Sequence, residues 1–258
     1  MLTIRKEQLD VLTQSLLRGF EDEMVEHLAE FSPPLFKVIK EEQMRKAVRF
    51  GFDRCDKYGF TLRGPMRLYL EMMLLFGSHF DTDPQYPWAA EILFDRHSIS
   101  QMQRADSLYE KIVDYQEKVA GPDGENWRTA FETLSALTKD APLLQEKEYE
   151  ESIRRELRRF FPQKVEYIGK ASLGNLIVEG RESARKYEFP ATRGDTLMIV
   201  LKFVFGHGCE DDLLYPWINR TLTDEKITNP VARMERLETK STTWLDRALK
   251  GSLGEEQL

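Results

Sequence analysis

The chain has 258 residues, of which 41% are apolar and 31% are charged, and its formal net charge at pH 7 is -7. This length fits one large domain or two small ones, and the apolar fraction is sufficient for a buried core. An acidic balance argues against a general binder of nucleic acid or of an anionic membrane, because such proteins present a basic face. The two cysteines, Cys55 and Cys209, are too few to cross-link a chain of this size, which favours a reducing compartment.

The chain carries no pattern of a membrane or export segment. The opening residues lack the apolar stretch of a signal peptide. Because no run of roughly eighteen apolar residues occurs, we expect no transmembrane helix. The two most apolar runs, Leu68 to Gly77 and Leu197 to Gly206, are shorter than that, and we interpret them as central core helices.

Helical periodicity begins near the start of the chain. From Leu9 to Phe31, apolar residues recur every three or four positions, which predicts a helix with one apolar face. The members of that face are Leu12, Leu16, Phe20, Met24, Leu28 and Phe31. Pro33 and Pro34 follow directly and are expected to end the helix, because proline removes a main-chain donor and clashes with the preceding turn.

Three further helices are predicted before residue 100. One runs from Glu41 to Lys57 with a single apolar stripe. The next opens near Gly64 and ends at Gly77, a residue type that commonly terminates helices. Another begins at Pro87, whose missing N–H has no intrahelical partner in a first turn.

The middle of the chain is predicted to connect two parts. The Ala-Gly-Pro-Asp-Gly sequence at 120–124 indicates a loop, and a helix from about Asn126 to Thr138 follows it. Residues 251–258 are expected to form a frayed, disordered tail. The β-branched segment from Thr196 to Val204 would predict a strand if taken alone. Its counterpart, Leu68 to Leu74, has a helical pattern, so we predict a helix there too.

The second half of the chain repeats the first at an offset of 129 positions, and this repeat relates the segment 196–204 to its counterpart. Residues 57–60 fall on 186–189, residues 76–77 on 205–206, and the Tyr-Pro-Trp sequence at 86–88 on the one at 215–217. Between Glu21 and Leu108, about 20 of about 88 aligned pairs are identical, where chance would give about five.

We therefore predict an all-α protein made of two tandem copies of a four-to-five-helix unit related by internal duplication. The predicted boundaries are residues 1–119 for the first unit and 145–250 for the second, with a connector loop and helix at 120–144. The last helix of each unit has its own start signal. Ser100 is a good N-cap with Gln103 completing a capping box, whereas Asn229 caps the second unit's helix with Pro230 in its first turn.

Two loops at matching places carry the most suggestive chemistry. Residues 76–83 and 205–212 combine glycine with several carboxylates, and oxygen-rich loops of this kind can hold a cation. Neither loop has the ligand spacing or the terminal glutamate of an EF-hand. We favour the interpretation that Asp83 and Asp212 order the turn into the next helix, because aspartate side chains accept hydrogen bonds from nearby main-chain N–H groups.

The histidines do not predict a metal site. His207 and Cys209 lie near three carboxylates, but no second pair of cysteine or histidine occurs at a ligand spacing, and the first copy offers only His79. His27 and His97 stand alone, and we expect them at the surface.

The Tyr-Pro-Trp sequences at 86–88 and 215–217 admit two interpretations. They could form an aromatic binding platform, or they could fill the base of each helical bundle. We favour the core, because these aromatic residues recur together with other core positions.

Basic residues give weaker signals. Arg104 and Arg233 are the only arginines present in both copies, and a structural ion pair with Asp95 or Asp224 is favoured over a catalytic role. The basic run at 154–159 is interspersed and flanked by glutamates, which is typical of a solvated helix face.

No catalytic motif was found. The chain has no nucleophile elbow, no phosphate-binding glycine loop, no His-Glu-x-x-His sequence and no dinucleotide fingerprint. We therefore predict that the protein is not an enzyme and has no catalytic, cofactor-binding or metal-binding residues. The sequence leaves the partner-binding residues open.

The first copy resembles a family of bacterial accessory proteins encoded beside type VI secretion effectors and their VgrG and PAAR spike proteins. The resemblance covers about Leu2 to Val119 and rests on residues 2–8, 57–60, 74–77, 80–83 and 86–89. It implies a cytoplasmic, non-enzymatic protein whose partner is a secreted effector or toxin, or a spike component. The acidic composition and the lack of a long apolar run lead us to expect no nucleic-acid or membrane partner. Within that setting we expect an adaptor or chaperone of an effector; the alternative is an immunity protein that neutralises a cognate toxin by direct binding.

Overall fold

The computed structural model describes residues 6–95, 99–139 and 146–251. Within these ranges the protein is all-helical, as predicted, and contains no strand. None of the helices there combines the length and apolar character needed to cross a lipid bilayer. The eleven α-helices of these ranges are α1 (Lys6–Phe31), α2 (Pro33–Lys57), α3 (Arg63–Phe76), α4 (Pro87–Phe94), α5 (Gln101–Tyr115), α6 (Glu125–Lys139), α7 (Tyr149–Phe160), α8 (Pro162–Lys186), α9 (Arg193–Phe205), α10 (Pro216–Leu222) and α11 (Pro230–Lys250).

Helices of the second half lie at positions that correspond to helices of the first half at the offset of 129. The first and last residues of α8 match those of α2. The last residue of α9 matches the last residue of α3, and the first residues of α10 and α11 match those of α4 and α5. The α11 helix is longer than α5 because it also covers the positions that match the π-helical turn Gln116–Ala120. The β-branched segment 196–204 is helical, as its counterpart predicted.

The α2 and α8 helices contain a break that the sequence did not predict. The prediction began a helix at Glu41, whereas α2 begins at Pro33 and is interrupted at Lys40, where φ is 66° and ψ is 170°. Its counterpart Gly169 has nearly the same angles, 77° and 171°. Because proline is tolerated in a first helical turn, the prolines that end α1 also begin α2. A positive φ is unfavourable for a lysine, whereas Gly169 adopts it without a steric penalty.

The predicted starts of α5 and α11 are confirmed in detail. The Ser100 hydroxyl accepts a hydrogen bond from the Gln103 main-chain N–H, and the Gln103 side chain accepts one from the Ser100 N–H, which completes the capping box. The Asn229 side chain accepts hydrogen bonds from two main-chain N–H groups of α11, and Pro230 stands in the first turn. These caps satisfy donors that a helix start leaves without intrahelical partners.

The connector helix α6 joins the second half to the end of the first. Trp127 packs edge-on against Phe161, at a ring-centroid distance of 4.7 Å, and Phe131 packs against Trp244 at 5.8 Å. The predicted connector residues 140–145 lie outside the described ranges. So do residues 252–258 of the predicted tail, whereas Gly251 is described and caps α11 in the left-handed conformation.

The main hydrophobic core crosses the boundary between the two halves. One continuous cluster extends from Phe20 of α1 to Leu214, after α9, and a smaller cluster around Met198 and Leu237 lies within the second half. The predicted apolar face of α1 is buried in its middle part, whereas Leu16 is 67% exposed. The two halves therefore share buried surface rather than forming separate globules.

Candidate functional site

The two segments that the sequence singled out, residues 76–83 and 205–212, belong to the loops 77–86 and 206–215, which lie against each other. Gly77 and Gly206 begin these loops with φ values of 95° and 96°. A Cβ atom on Gly77 would lie 2.6 Å from the Phe205 carbonyl oxygen, and one on Gly206 would lie 3.0 Å from the Phe76 carbonyl oxygen. Two independent reasons therefore require glycine at both positions: the positive φ, and the close approach of the opposite main chain.

Two aspartates hold the loops together by reciprocal hydrogen bonds. Asp83 accepts a hydrogen bond from the main-chain N–H of His207 at 2.7 Å, and Asp212 accepts one from the main-chain N–H of Ser78 at 2.8 Å. Ser78 and His207 are 129 positions apart, as are the two aspartates. The same contact is therefore made in both directions across the boundary.

Each aspartate also orders its own loop, as predicted. A carboxylate oxygen of Asp83 accepts from the Gln85 N–H, and one of Asp212 accepts from the Leu214 N–H, both at 2.8 Å. Burial raises the pKa of both aspartates, although these hydrogen bonds oppose the shift. The sequence indicated the local bond, because it spans two residues, but gave no signal for the contact between the loops.

The loop geometry does not favour a cation site. In both aspartates each carboxylate oxygen already accepts a hydrogen bond. Among residues 6–95, 99–139 and 146–251, no group of three or more histidine, cysteine, aspartate or glutamate side chains could hold a metal ion. Burial raises the pKa of Cys209 to about 12, so its thiol resists forming the thiolate that zinc requires.

The loop histidines sit in different environments. The His207 ring contacts Glu179 at 3.2 Å and the Thr82 hydroxyl at 3.0 Å. Burial lowers the pKa of His207, but the hydrogen bond with Glu179 and the charge of Asp83 more than compensate, so its pKa lies above the ordinary value. His79 packs against Phe50, and burial lowers its pKa.

Within the loops, each half also buries one carboxylate that accepts a hydrogen bond from a tyrosine hydroxyl. Asp81 accepts hydrogen bonds from the Arg54 guanidinium and from the Tyr58 hydroxyl at 2.6 Å. Its counterpart Glu210 accepts one from the Tyr187 hydroxyl at 3.0 Å. Tyrosine and carboxylate thus recur at corresponding positions.

The cation that neutralises this carboxylate differs between the halves. Serine replaces the arginine at position 183, and the Ser183 hydroxyl donates to Glu210 instead. Lys202 and Lys186 each lie 3.0 Å from the same carboxylate. Burial by itself would raise the pKa of Glu210, but Lys202 and the Ser183 hydrogen bond lower it to about 2.

Lys164 is a buried amine that the sequence analysis did not predict. Its side chain is 1% exposed, donates to the Phe203 carbonyl oxygen, and lies over the rings of Tyr86, Trp127 and Phe203. Burial lowers its pKa to about 7. The signal available in the sequence was its helical spacing from Ile168, which places a lysine on the buried face of α8. The corresponding residue of the first half is Leu35.

The aromatic and arginine candidates serve the structure. Tyr86 and Trp217 are buried, so the Tyr-Pro-Trp sequences contribute to the core, as favoured above. Arg104 is buried and donates to the carbonyl oxygens of Tyr58 and Leu93, at 2.9 and 2.7 Å. Arg233 of the second half donates to the Ile227 carbonyl oxygen at 2.6 Å.

Two surface predictions have mixed outcomes. The basic run of α7 is largely solvated, as predicted, with Arg158 and Arg159 exposed and Arg154 paired to Glu150. His27 is not a free surface residue, because its ring is half-buried and contacts Glu71 at 2.7 Å. An isolated histidine in the sequence gives no sign of a partner 44 positions away. His97 lies outside the described ranges.

An exposed group of apolar and acidic side chains lies along α5. We call it the α5 surface; its residues are Leu62, Met102, Asp106, Tyr109 and Glu110. The four residues on α5 share one side of the helix because they are three or four positions apart. Tyr109 is 58% exposed and Met102 is 48% exposed. Leu62 lies near the start of α5, because its main-chain N–H donates to the Gln101 side chain at 3.0 Å.

Comparison with known proteins gave no match: no family model, no curated protein and no solved structure matches the chain.

Proposed function

We propose that this protein acts without catalysis, as a cytoplasmic adaptor or chaperone that binds a secreted effector. The observation that carries the proposal is the α5 surface, where large apolar side chains are exposed on a helix whose other side is buried in the core. Exposed apolar groups held on a rigid helix are typical of protein-binding surfaces. The resemblance to accessory proteins of type VI secretion clusters agrees with a protein partner.

The state of the interior polar groups supports binding rather than catalysis. A catalytic acid, base or nucleophile must reach its substrate. Asp83 and Asp212 are instead occupied in holding the two loops, Glu210 is paired with lysines, and Lys164 is enclosed by aromatic rings. These groups stabilise the scaffold that presents the α5 surface.

An internal duplication is the second part of the proposal. Its support comes from the matched ends of α2 and α8, the matched breaks at Lys40 and Gly169, and the reciprocal aspartate contacts between the loops. A contact made identically in both directions is characteristic of two-fold symmetric pairing. It is expected if both halves descend from one unit that associated with a second copy of itself.

The alternative role is an immunity protein. The net charge of -7 and the acidic residues of the α5 surface favour a basic partner, and electrostatic complementarity speeds the capture of a toxin. A toxin that is neutralised and an effector that is escorted would both occupy such a surface, so the roles differ in what binding does to the partner.

The test is affinity purification of the tagged protein from its native cell, followed by mass spectrometry. The wild type is compared with a Met102→Ser, Tyr109→Ser double variant and with a Val178→Ser, Val231→Ser control, which removes exposed apolar side chains elsewhere. We expect one effector to co-purify with the wild type and the control but not with the α5 variant. Absence of any specific protein partner would refute the proposed function.

The purified partner then separates the two roles. A toxin that keeps its activity when bound, but becomes insoluble or is not delivered in cells lacking this protein, indicates an adaptor or chaperone. A toxin whose activity is blocked at equal molar ratio indicates an immunity protein.

A further inference from the structure

The contact between the two loops contains a chain of hydrogen bonds that runs through the His207 ring. The Nδ1 atom of this ring lies 3.2 Å from a carboxylate oxygen of Glu179 on α8, and Nε2 lies 3.0 Å from the hydroxyl oxygen of Thr82 in the first loop. The Thr82 hydroxyl in turn donates to the His79 main-chain carbonyl oxygen at 3.2 Å. The chain of hydrogen bonds therefore crosses from the second half to the first.

Only the protonated His207 ring satisfies all three of these contacts at once. A carboxylate accepts hydrogen bonds, so Glu179 requires a hydrogen on Nδ1. The Thr82 hydroxyl has one hydrogen, and while it donates to the His79 carbonyl it requires a hydrogen on Nε2 as well. A ring with hydrogens on both nitrogens is the charged imidazolium. Burial opposes this charge, but the Glu179 hydrogen bond and the charge of Asp83 outweigh it and raise the pKa of His207.

His79 faces the same contact from the first half, in surroundings that favour its neutral form. Its ring packs edge-on against Phe50 at a ring-centroid distance of 5.1 Å and lies 6.4 Å from the His207 ring. It also packs against the main chain of the second loop, because a Cβ atom on Gly208 would lie 2.5 Å from the His79 Cδ2 atom. Burial lowers the pKa of His79, and a charged His207 lowers it further.

Charged groups face the two rings from both halves. Those that act on His207 are Glu179 of α8, Lys202 of α9 and Asp83 of the first loop, and those that act on His79, besides His207, are Arg54 of α2, Asp81 of its own loop and Asp212 of the second loop. Both rings are half-buried, so protons from solvent reach them without unfolding of the chain. The protonation of each ring is therefore coupled to the contact between the loops.

We propose that the contact between the loops is a pH-sensitive switch, which joins the two halves most tightly when His207 is charged and His79 is neutral. Deprotonation of His207 removes its attraction to Glu179 and Asp83 and takes one hydrogen from the chain of hydrogen bonds. Protonation of His79 places two like charges in neighbouring rings. The inference concerns the joint between the halves and does not depend on the proposed function.

The two histidines predict a maximum of stability between their opposite effects. The pKa of His207 in the folded chain lies above the ordinary value of 6.5, so its contribution is complete below pH 6.5 and is lost as the pH rises through the folded pKa. The pKa of His79 lies below 6.5, so its contribution is complete above pH 6.5 and is lost as the pH falls through the folded pKa. The contact is therefore tightest near pH 6.5.

The test is hydrogen exchange of the full chain, followed by NMR. The main-chain N–H groups of Ser78 and His207 report on the contact, because they donate to Asp212 and Asp83 across it. Their exchange rates are divided by those of an unstructured chain at the same pH, which removes the intrinsic pH dependence of exchange. We expect protection to be greatest near pH 6.5 and at least about threefold lower at about pH 5 and about pH 8, the factor for a partly exposed ion pair. Protection that is flat across this range would overturn the proposal.

Two variants assign the two sides of this profile. His207→Gln should abolish the decline above pH 6.5, because glutamine carries no titrating proton, and His79→Phe should abolish the decline below it. His27→Gln is the control, because His27 contacts Glu71 and Phe31 rather than either loop, and it should keep the wild-type profile. Lys164 faces Asp83 and has a pKa of about 7, so each variant is compared with the wild type at the same pH.

One measurement on the wild type serves even if a variant does not fold. The ring signals of His207 and His79, followed by NMR as the pH is changed, show directly when each ring gains its proton. We expect His207 to titrate above 6.5 and His79 below it. The reverse order, or a wild-type exchange profile retained in both loop variants, would show that other groups control the contact and that the proposal is wrong.

Discussion

Lys164→Met is expected to stabilise the protein at mildly acidic pH and to lose that advantage at alkaline pH. The amine is fully buried against aromatic rings, and its pKa falls from 10.5 to about 7. Methionine has a similar length and needs no solvation, and the first half carries an apolar residue, Leu35, at the matching position.

The direction of the pH dependence of stability follows from how many protons the folded and unfolded chains bind. Because the pKa of Lys164 is lower in the folded chain than in the unfolded chain, the folded chain binds fewer protons between about pH 7 and pH 10.5. The free energy of unfolding therefore rises with pH through this window, and the cost of the buried amine is greatest below pH 7. At 1.36 kcal/mol per pH unit, the pKa difference corresponds to about 5 kcal/mol. Losing the hydrogen bond to the Phe203 carbonyl offsets about 1–3 kcal/mol of this.

The assay is urea unfolding followed by circular dichroism at about pH 6 and about pH 9. We expect Lys164→Met to gain about 2–4 kcal/mol at the lower pH, and a gain smaller by about 3 kcal/mol at the higher pH. Lys170→Met, on the exposed side of the same helix, is the matched control and should show no pH-dependent change. A stability change for Lys164→Met that is the same at both pH values would refute the claim that the folded protein disfavours the charged amine.

Three further variants test the loops and the core. Asp83→Asn replaces one of two carboxylate oxygens, each of which accepts a main-chain N–H, by an NH2 donor, and should destabilise by about 2–3 kcal/mol; the exposed Asp53→Asn should be neutral in urea unfolding. Gly77→Ala should lower the melting temperature sharply, because its Cβ meets a carbonyl oxygen at 2.6 Å; Gly19→Ala in an open helical position should raise stability by up to about 1 kcal/mol. Trp217→Ala should cost about 3–5 kcal/mol by calorimetry, and a variant of unchanged stability would contradict its place in the core.

Much of the helical architecture could be predicted because its signals are local. The Ser100 cap and its Gln103 partner are three residues apart, and Pro87 marks a helix start by its own missing N–H. The turn made by Asp83 spans two residues. Hydrogen bonds between residues two or three positions apart depend on the residue types at those positions, so composition and spacing were sufficient to predict them.

The α5 surface shows where such reasoning stops. Met102 and Tyr109 have the spacing of helix residues, but spacing does not tell which of them a neighbouring helix covers.

The sequence by itself determined the helical class, the caps of α5 and α11 and the local turns at both aspartates. Only the tertiary structure decided that Asp83 reaches a main-chain N–H 124 positions away and that Lys164 is enclosed by aromatic rings of other segments. The physical reason is that a hydrogen bond or a desolvated charge depends on which segments meet in space. Contacts between distant segments are set by the packing of the whole core rather than by the residues that neighbour each segment in sequence.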